Sequence, residues 1–286
     1  MVRFAPKVKA VDGSSQEAQP CGHRFLVELA VAAPSHGASV PAPVLEWRGQ
    51  REASMAEKQR LLLLPGLLCD DALWQFQREA LADIADVTIA DLTRSDSIVA
   101  MARDALAAAP DRFALAGLSM GGYVALEIMR QAPERVTHLA LFDTSARPDT
   151  PELTERRKAL IDLANRGKFK GVTPRLLPLL LHKDHQFPPL STIVVDMATR
   201  VGQPAFIRQE IAIMNRLDSR PFLKHIKVPT LVLVGEDDQL TPVVLHEELA
   251  DGIAGSEFQI IARSGHLTTL EKPDMVNRAM FDWLTT

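Results

Sequence analysis

The sequence predicts an α/β protein: a mostly parallel central sheet flanked by helices, with a helical lid inserted between two later strands. Three observations carry that expectation. From Arg60 onward, short apolar runs alternate with longer amphipathic ones, the pattern of βα units. One junction, "FALAGLSMGGYVALEIM" at 113–129, crowds Gly117, Gly121 and Gly122 around Ser119 where a strand-like run gives way to a helix-like one. Between about 147 and 227 the alternation stops, and helix-like pieces such as "PELTERRKALIDLANRG" and "PAFIRQEIAIMNRL" follow one another with no buried strand.

The first stretch, residues 1–58, is rich in Ala, Pro, Gly and Ser and reads as a peripheral extension. "FLVELAVAA" at 25–33 has the apolar character of an export signal, but Glu28 interrupts it and the preceding segment is long and mixed in charge. With "PVLEWRG" at 43–49 it would instead supply an edge hairpin. "MAEKQRLLLLPG", from Met55, reads as a natural beginning for the compact domain, leaving the upstream residues dispensable.

The strands expected next are 60–65, 87–90, 113–117, 137–142, 230–234 and 257–261. "DALWQFQREALADIA" and "SDSIVAMARDALAAAP" carry apolar residues at three- and four-residue spacing after Ser or Asp, so both read as helices. Pro242 and Pro273 stand where first helical turns would begin. The expected organisation is a core of 59–146 and 228–286, with 147–227 as a lid over the carboxyl ends of the strands.

Composition narrows the function. A chain of 286 residues, 47% hydrophobic and 24% charged, is ordinary for a globular protein, which excludes disorder throughout. Its longest apolar runs, such as "LLLLPGLL" at 61–68, fall far short of the roughly 18 residues that a membrane-spanning helix needs. Cys21 and Cys69 sit in neither metal-ligand nor C-x-x-C spacing and fit a reducing compartment, so a cytoplasmic location is expected. A net charge of −4 gives no general reason to expect nucleic acid.

"GLSMG" is a G-x-S-x-G pentapeptide, and its serine reads either as the N-cap of a helix or as a nucleophile lifted out of the sheet on a sharp turn. A nucleophilic serine needs a base, and the base an orienting acid. Of the eight histidines, only His266 lies in a short loop after a strand-like run, in "EFQIIARSGHLTTLEKP". The acids that reach the same rim are Glu236, Asp237 and Asp238, where "TLVLVGEDDQLTP" leaves its apolar run at Gly235. The chain order is serine, acid, histidine, each just beyond an expected parallel strand.

The segments "LLLLPGLLCDDALW", "GLSMGG", "LVLVGEDDQLTP" and "SGHLTTLEKP" resemble the signatures of the α/β-hydrolase superfamily, and the likeness covers about 60–284. The resemblance implies that family's fold, and an acid at the end of a G-x-x-D pattern, which favours Asp238 over Asp237. Asp143 is a substitute, since some relatives place their acid there. It also implies an oxyanion hole from the backbone N–H groups of Met120 and Leu67, with Leu68 as the alternative to Leu67. Two departures stand out. Pro65-Gly66 replaces the family's frequent His-Gly, and the usual leading hairpin is weak or displaced.

These residues imply hydrolysis of a carboxylic ester or thioester through an acyl-enzyme on Ser119, with His266 as base, Asp238 orienting it, and no metal or organic cofactor. Other readings of the same fold are a carbon–carbon bond hydrolase or lyase, and a ligand-binding receptor with slow turnover. The expected partner is a small acyl ester. Between Arg147 and Lys227 stand fifteen Lys or Arg and eight Asp or Glu, a balance of +7 in a chain of −4. That charge reads either as a solvated helical face or as attraction, led by Arg156 and Arg157, for an anionic or carrier-protein-bound substrate; "RLLPLLL" at 175–181 and Phe206 would help form its apolar channel.

Overall fold

The computed structural model describes residues 8–10 and 58–286. The elements run β1 (Val8–Ala10), β2 (Gln59–Leu64), α1 (Gln75–Ala80), β3 (Ala85–Ile89), α2 (Ile98–Ala108), β4 (Phe113–Leu118), α3 (Met120–Gln131) and β5 (Val136–Phe142). They continue with α4 (Pro151–Leu163), α5 (Leu177–Leu180), α6 (Leu190–Met214), β6 (Thr230–Gly235), α7 (Val243–Gly252), β7 (Glu257–Ile261), α8 (Thr268–Glu271) and α9 (Pro273–Leu284). Among the described residues every strand pairing is parallel, in the order β1-β7-β6-β5-β4-β2-β3. This is the α/β-hydrolase fold that the sequence predicts.

The central strands β4 and β6 are buried along their whole length because both faces of the sheet are covered there, whereas β3 at the edge alternates buried and exposed positions. Leu61 and Leu63 of β2 pack on one face with Trp74, Phe142, Leu231 and Trp283, while Leu62 and Leu64 pack on the other with Met101, Leu115, Val124 and Val232. Trp74 meets the ring of Phe142 edge-on at 5.6 Å.

The strand order turns back between β2 and β4. The loops leaving those two strands therefore diverge at the carboxyl edge of the sheet and open a crevice there.

The six expected strands are present within two residues of their expected ends. The helix read through 71–85 is shorter: a 3₁₀ turn at Asp71–Trp74 leads into α1, which stops at Ala80, and Ala85 already belongs to β3. Ala85 and Val87 are buried or half-buried against the sheet's core, so pairing with β2 overrides the helical periodicity. Pro242 caps α7 from just outside it, and Pro273 is the first residue of α9. The sequence gives no sign of β1, three residues added beside β7. The export segment, the hairpin of 25–49 and the start at Met55 lie outside the described residues. Between β5 and β6 the described residues contain helices and turns but no strand, and α6 is kinked at Gly202 (φ 73°), two residues before Pro204. Among the described residues no helix is long and apolar enough to cross a membrane.

Candidate active site

The three glycines of the β4–α3 corner are there because backbone and side chains press against them. A Cβ on Gly117 would stand 2.3 Å from the Gly121 carbonyl oxygen, and one on Gly121 would stand 2.1 Å from the carbonyl oxygen of Leu64. The conformational strain falls on Ser119 itself, at φ 55° and ψ −115°. Its backbone is held from both sides: the Ser119 N–H donates to the Phe142 carbonyl (3.0 Å), and its own carbonyl accepts from Gly122 N–H (2.9 Å) and the Thr144 hydroxyl (2.7 Å). The Ser119 side chain makes no capping bond to α3, although it occupies the N-cap position. That removes the N-cap reading of the serine and leaves its half-buried hydroxyl available.

His266 and Asp238 come together from the loops after β7 and β6. The imidazole Nδ1 lies 2.8 Å from Asp238 Oδ2. Asp238 also accepts from the N–H groups of Leu240 (2.8 Å) and Thr241 (3.0 Å) and from the Thr241 hydroxyl (2.6 Å), so its carboxylate is fixed before it meets the ring. Burial opposes both charges, yet the pairing outweighs it: Asp238 sits below the usual carboxylate range and His266 above the usual histidine value. Asp237 faces away, 3.6 Å from His182 Nε2, and Glu236 accepts from the Arg263 N–H.

Ser119 and His266 line one cavity of about 390 Å³ together with Gly66, Leu67, Leu68 and Cys69. Burial pushes the Cys69 thiol up to about 12, which disfavours its thiolate. Met120 opens α3, so its N–H has no acceptor within the helix. The Leu68 N–H is committed to Gln209 Oε1 (3.1 Å).

Over residues 20–279 the sequence matches the α/β-hydrolase family. The chain belongs to that family. RutD of Variovorax paradoxus, provisionally named a carbamate hydrolase, is 28% identical over 247 residues, which is 80% of this chain and 92% of its own. The pimeloyl-[acyl-carrier protein] methyl ester esterase of Neisseria meningitidis is 31% identical over 172 residues, 58% of this chain and 67% of that one. A thermophilic esterase from Thermogutta terrifontis superposes with a TM-score of 0.72 at 30% identity, covering 79% of this chain and 89% of that structure. The chain is thus a hydrolase of this fold and an enzyme of the carboxylesterase kind.

Several groups brace the loops that carry Ser119, Asp238 and His266 in a way that the sequence does not indicate. Asp143, the substitute acid, is fully buried and bonds elsewhere: it accepts from Gly235 N–H (3.0 Å) and the Thr268 hydroxyl (2.6 Å), tying the Asp238 loop to the His266 loop. Burial and the nearby Asp238 push its carboxyl well up. His246 is buried and its pKa falls to about 4, so the neutral ring accepts the Thr144 N–H at Nε2 (2.7 Å). Glu271 accepts from Gly265 N–H and His182 N–H, each at 2.8 Å. The His266 N–H donates to the Leu180 carbonyl (3.0 Å), so helical residues near 180 brace the histidine loop.

The basic residues of 147–227 divide into two kinds. Arg157 is held by Glu210 (2.6 Å) and Asp149 (2.7 Å), and Asp149 also pairs with Arg216, whose guanidinium lies 4.3 Å from the centre of the Tyr123 ring. Arg157 therefore cannot serve as the free attracting charge that its sequence position suggests. Arg156, Lys168 and Lys170 line the cavity, are exposed, and form no ion pair among the described residues.

Proposed function

We propose that this hydrolase cleaves a carboxylic ester or thioester by acyl transfer to Ser119. His266 Nε2 takes the hydroxyl proton as Oγ attacks the acyl carbon, and later returns it to the leaving alcohol or thiol. Asp238 holds the ring in the tautomer with Nδ1–H and balances its charge when protonated. The N–H groups of Met120 and Leu67 receive the oxyanion, each contributing about 3 kcal/mol to the transition state. Leu67 is favoured over Leu68 because the Leu68 N–H is spent on Gln209. Water then releases the acyl group. The observation that carries this reading is the buried His266–Asp238 pair opening on the same cavity as a strained serine whose hydroxyl caps nothing.

The cavity speaks for an amphiphilic substrate. Leu160, Leu163, Phe169, Leu179 and Phe206 give it apolar walls. In α4, Leu153, Leu160 and Leu163 line that space yet stay exposed, and the helix buries no residue of its own. Such a helix gains partners when an apolar acyl chain enters, and we read 147–227 as a lid on that ground. Arg156, Lys168 and Lys170 would meet an anion at the chain's far end, and the Neisseria relative is named for an ester borne on acyl-carrier protein. The test is labelling with a fluorophosphonate and hydrolysis of a panel of chromogenic esters and thioesters. The reading predicts label on Ser119 and activity that Ser119→Ala lowers by about 10³-fold or more with the fold intact. A variant that keeps a tenth of the activity would sink it.

A further inference from the structure

The geometry points to Gln209 as a positioning residue that makes the oxyanion loop depend on the lid helix. Gln209 lies in the second half of α6, beyond the Gly202 kink, and is fully buried. Its carboxamide is used at both ends: Oε1 accepts the Leu68 N–H (3.1 Å), and Nε2 donates to the Leu92 carbonyl (3.2 Å). A donor on one side and an acceptor on the other fix which way the amide faces, and no other uncharged side chain of that length offers both. The neighbouring Arg208 donates from Nε to the Thr93 carbonyl (2.8 Å), so α6 grips the segment after β3 at two successive residues.

The loop so held needs holding. Leu68 has φ 57°, a left-handed conformation that a leucine adopts only under constraint. Its N–H is the next one along the chain from that of Leu67, the proposed oxyanion donor. The Gln209 bond thus both anchors the strained turn and removes the competing N–H, leaving Leu67 to face the reacting carbonyl. A shift of α6 away from the core releases the turn, so the oxyanion site is complete only while α6 is seated. This inference rests on the serine mechanism proposed above.

The test compares the unmodified protein with Gln209→Met, of similar volume but unable to make either bond, and Gln209→Asn, too short to span both. Rates are normalised to the fraction of Ser119 that a fluorophosphonate labels. In both variants kcat should fall about 10-fold to 100-fold with KM within about threefold, and a trifluoromethyl ketone, which mimics the oxyanion, should bind weaker by the same factor as kcat. Unchanged kcat and ketone affinity alongside a lower melting temperature would show that Gln209 serves packing alone, and failure of both variants to fold would mark it as a folding requirement; either result overturns the inference. Absence of Ser119 labelling in the unmodified protein would instead strike at the serine mechanism itself.

Discussion

Asp238 Oδ2 and His266 Nδ1 stand 2.8 Å apart with both side chains buried, while Asp237, one residue earlier, turns outward toward His182. The one-residue offset is decided by the turn after β6, where the Asp238 N–H bonds back to the Gly235 carbonyl (3.1 Å) and its carboxylate caps the N–H groups of Leu240 and Thr241. Asp238→Asn should lower kcat/KM by about 10³- to 10⁴-fold, and Asp237→Asn by less than about threefold. The reverse ranking, measured on one chromogenic ester, would refute the assignment.

In the proposed mechanism the same pair sets the pH dependence. As the proposed general base, His266 works in its neutral form, and against the opposing effect of burial the Asp238 charge raises its pKa above the ordinary histidine value. The imidazolium therefore persists to higher pH, and kcat/KM should rise with pH through a midpoint above about 6.5. A midpoint well below that value would mean that the base is another group or that the pair is broken in solution.

Gly121→Ala should destabilise the protein by about 3 kcal/mol or more, lowering the melting temperature by on the order of 10 °C, because the new Cβ would meet a backbone oxygen that cannot move without shifting β2. A melting curve matching the unmodified protein would show that the corner is looser than its contacts indicate.

The two adjacent arginines of α4 should behave differently. Arg157→Met leaves Glu210 without its guanidinium partner and Asp149 with one fewer, both buried, and should cost about 3–5 kcal/mol by denaturant unfolding. Arg156→Glu, on an exposed side chain without an ion pair, should change stability by less than about 0.5 kcal/mol. Equal effects would mean that the ion-pair network is not formed in solution.

Arg156→Glu should instead act on substrate capture. Attraction between exposed charges is screened over about 8 Å at physiological ionic strength, so kcat/KM for an anionic ester should fall as salt rises while that for a neutral ester of equal length stays level. Arg156→Glu together with Lys168→Glu should flatten the first curve. Identical salt responses of the two esters in the unmodified protein would reduce these cations to surface decoration.

The six longer strands, several of the helices and the chain order of Ser119, Asp238 and His266 were legible in the sequence because local chemistry writes them: doubly covered strands are continuous apolar runs, helices repeat every three to four residues, and a sharp corner concentrates glycine. What the tertiary structure decided are relations between residues far apart in the chain. Nothing local distinguishes Arg156 from Arg157, and the difference arises only because Glu210 and Asp149 reach one guanidinium and not the other. Gln209 reads as an ordinary polar position in "IRQEIAIM" until Leu68 and Leu92 are folded against it. Asp143 looked like a spare acid, and Gly235 and Thr268 turn it into a tie between two loops. Sequence periodicity records which face of an element is buried; the partner that a buried polar group finds is set by three-dimensional closure, since such a group is stable only where donors and acceptors from distant segments meet it.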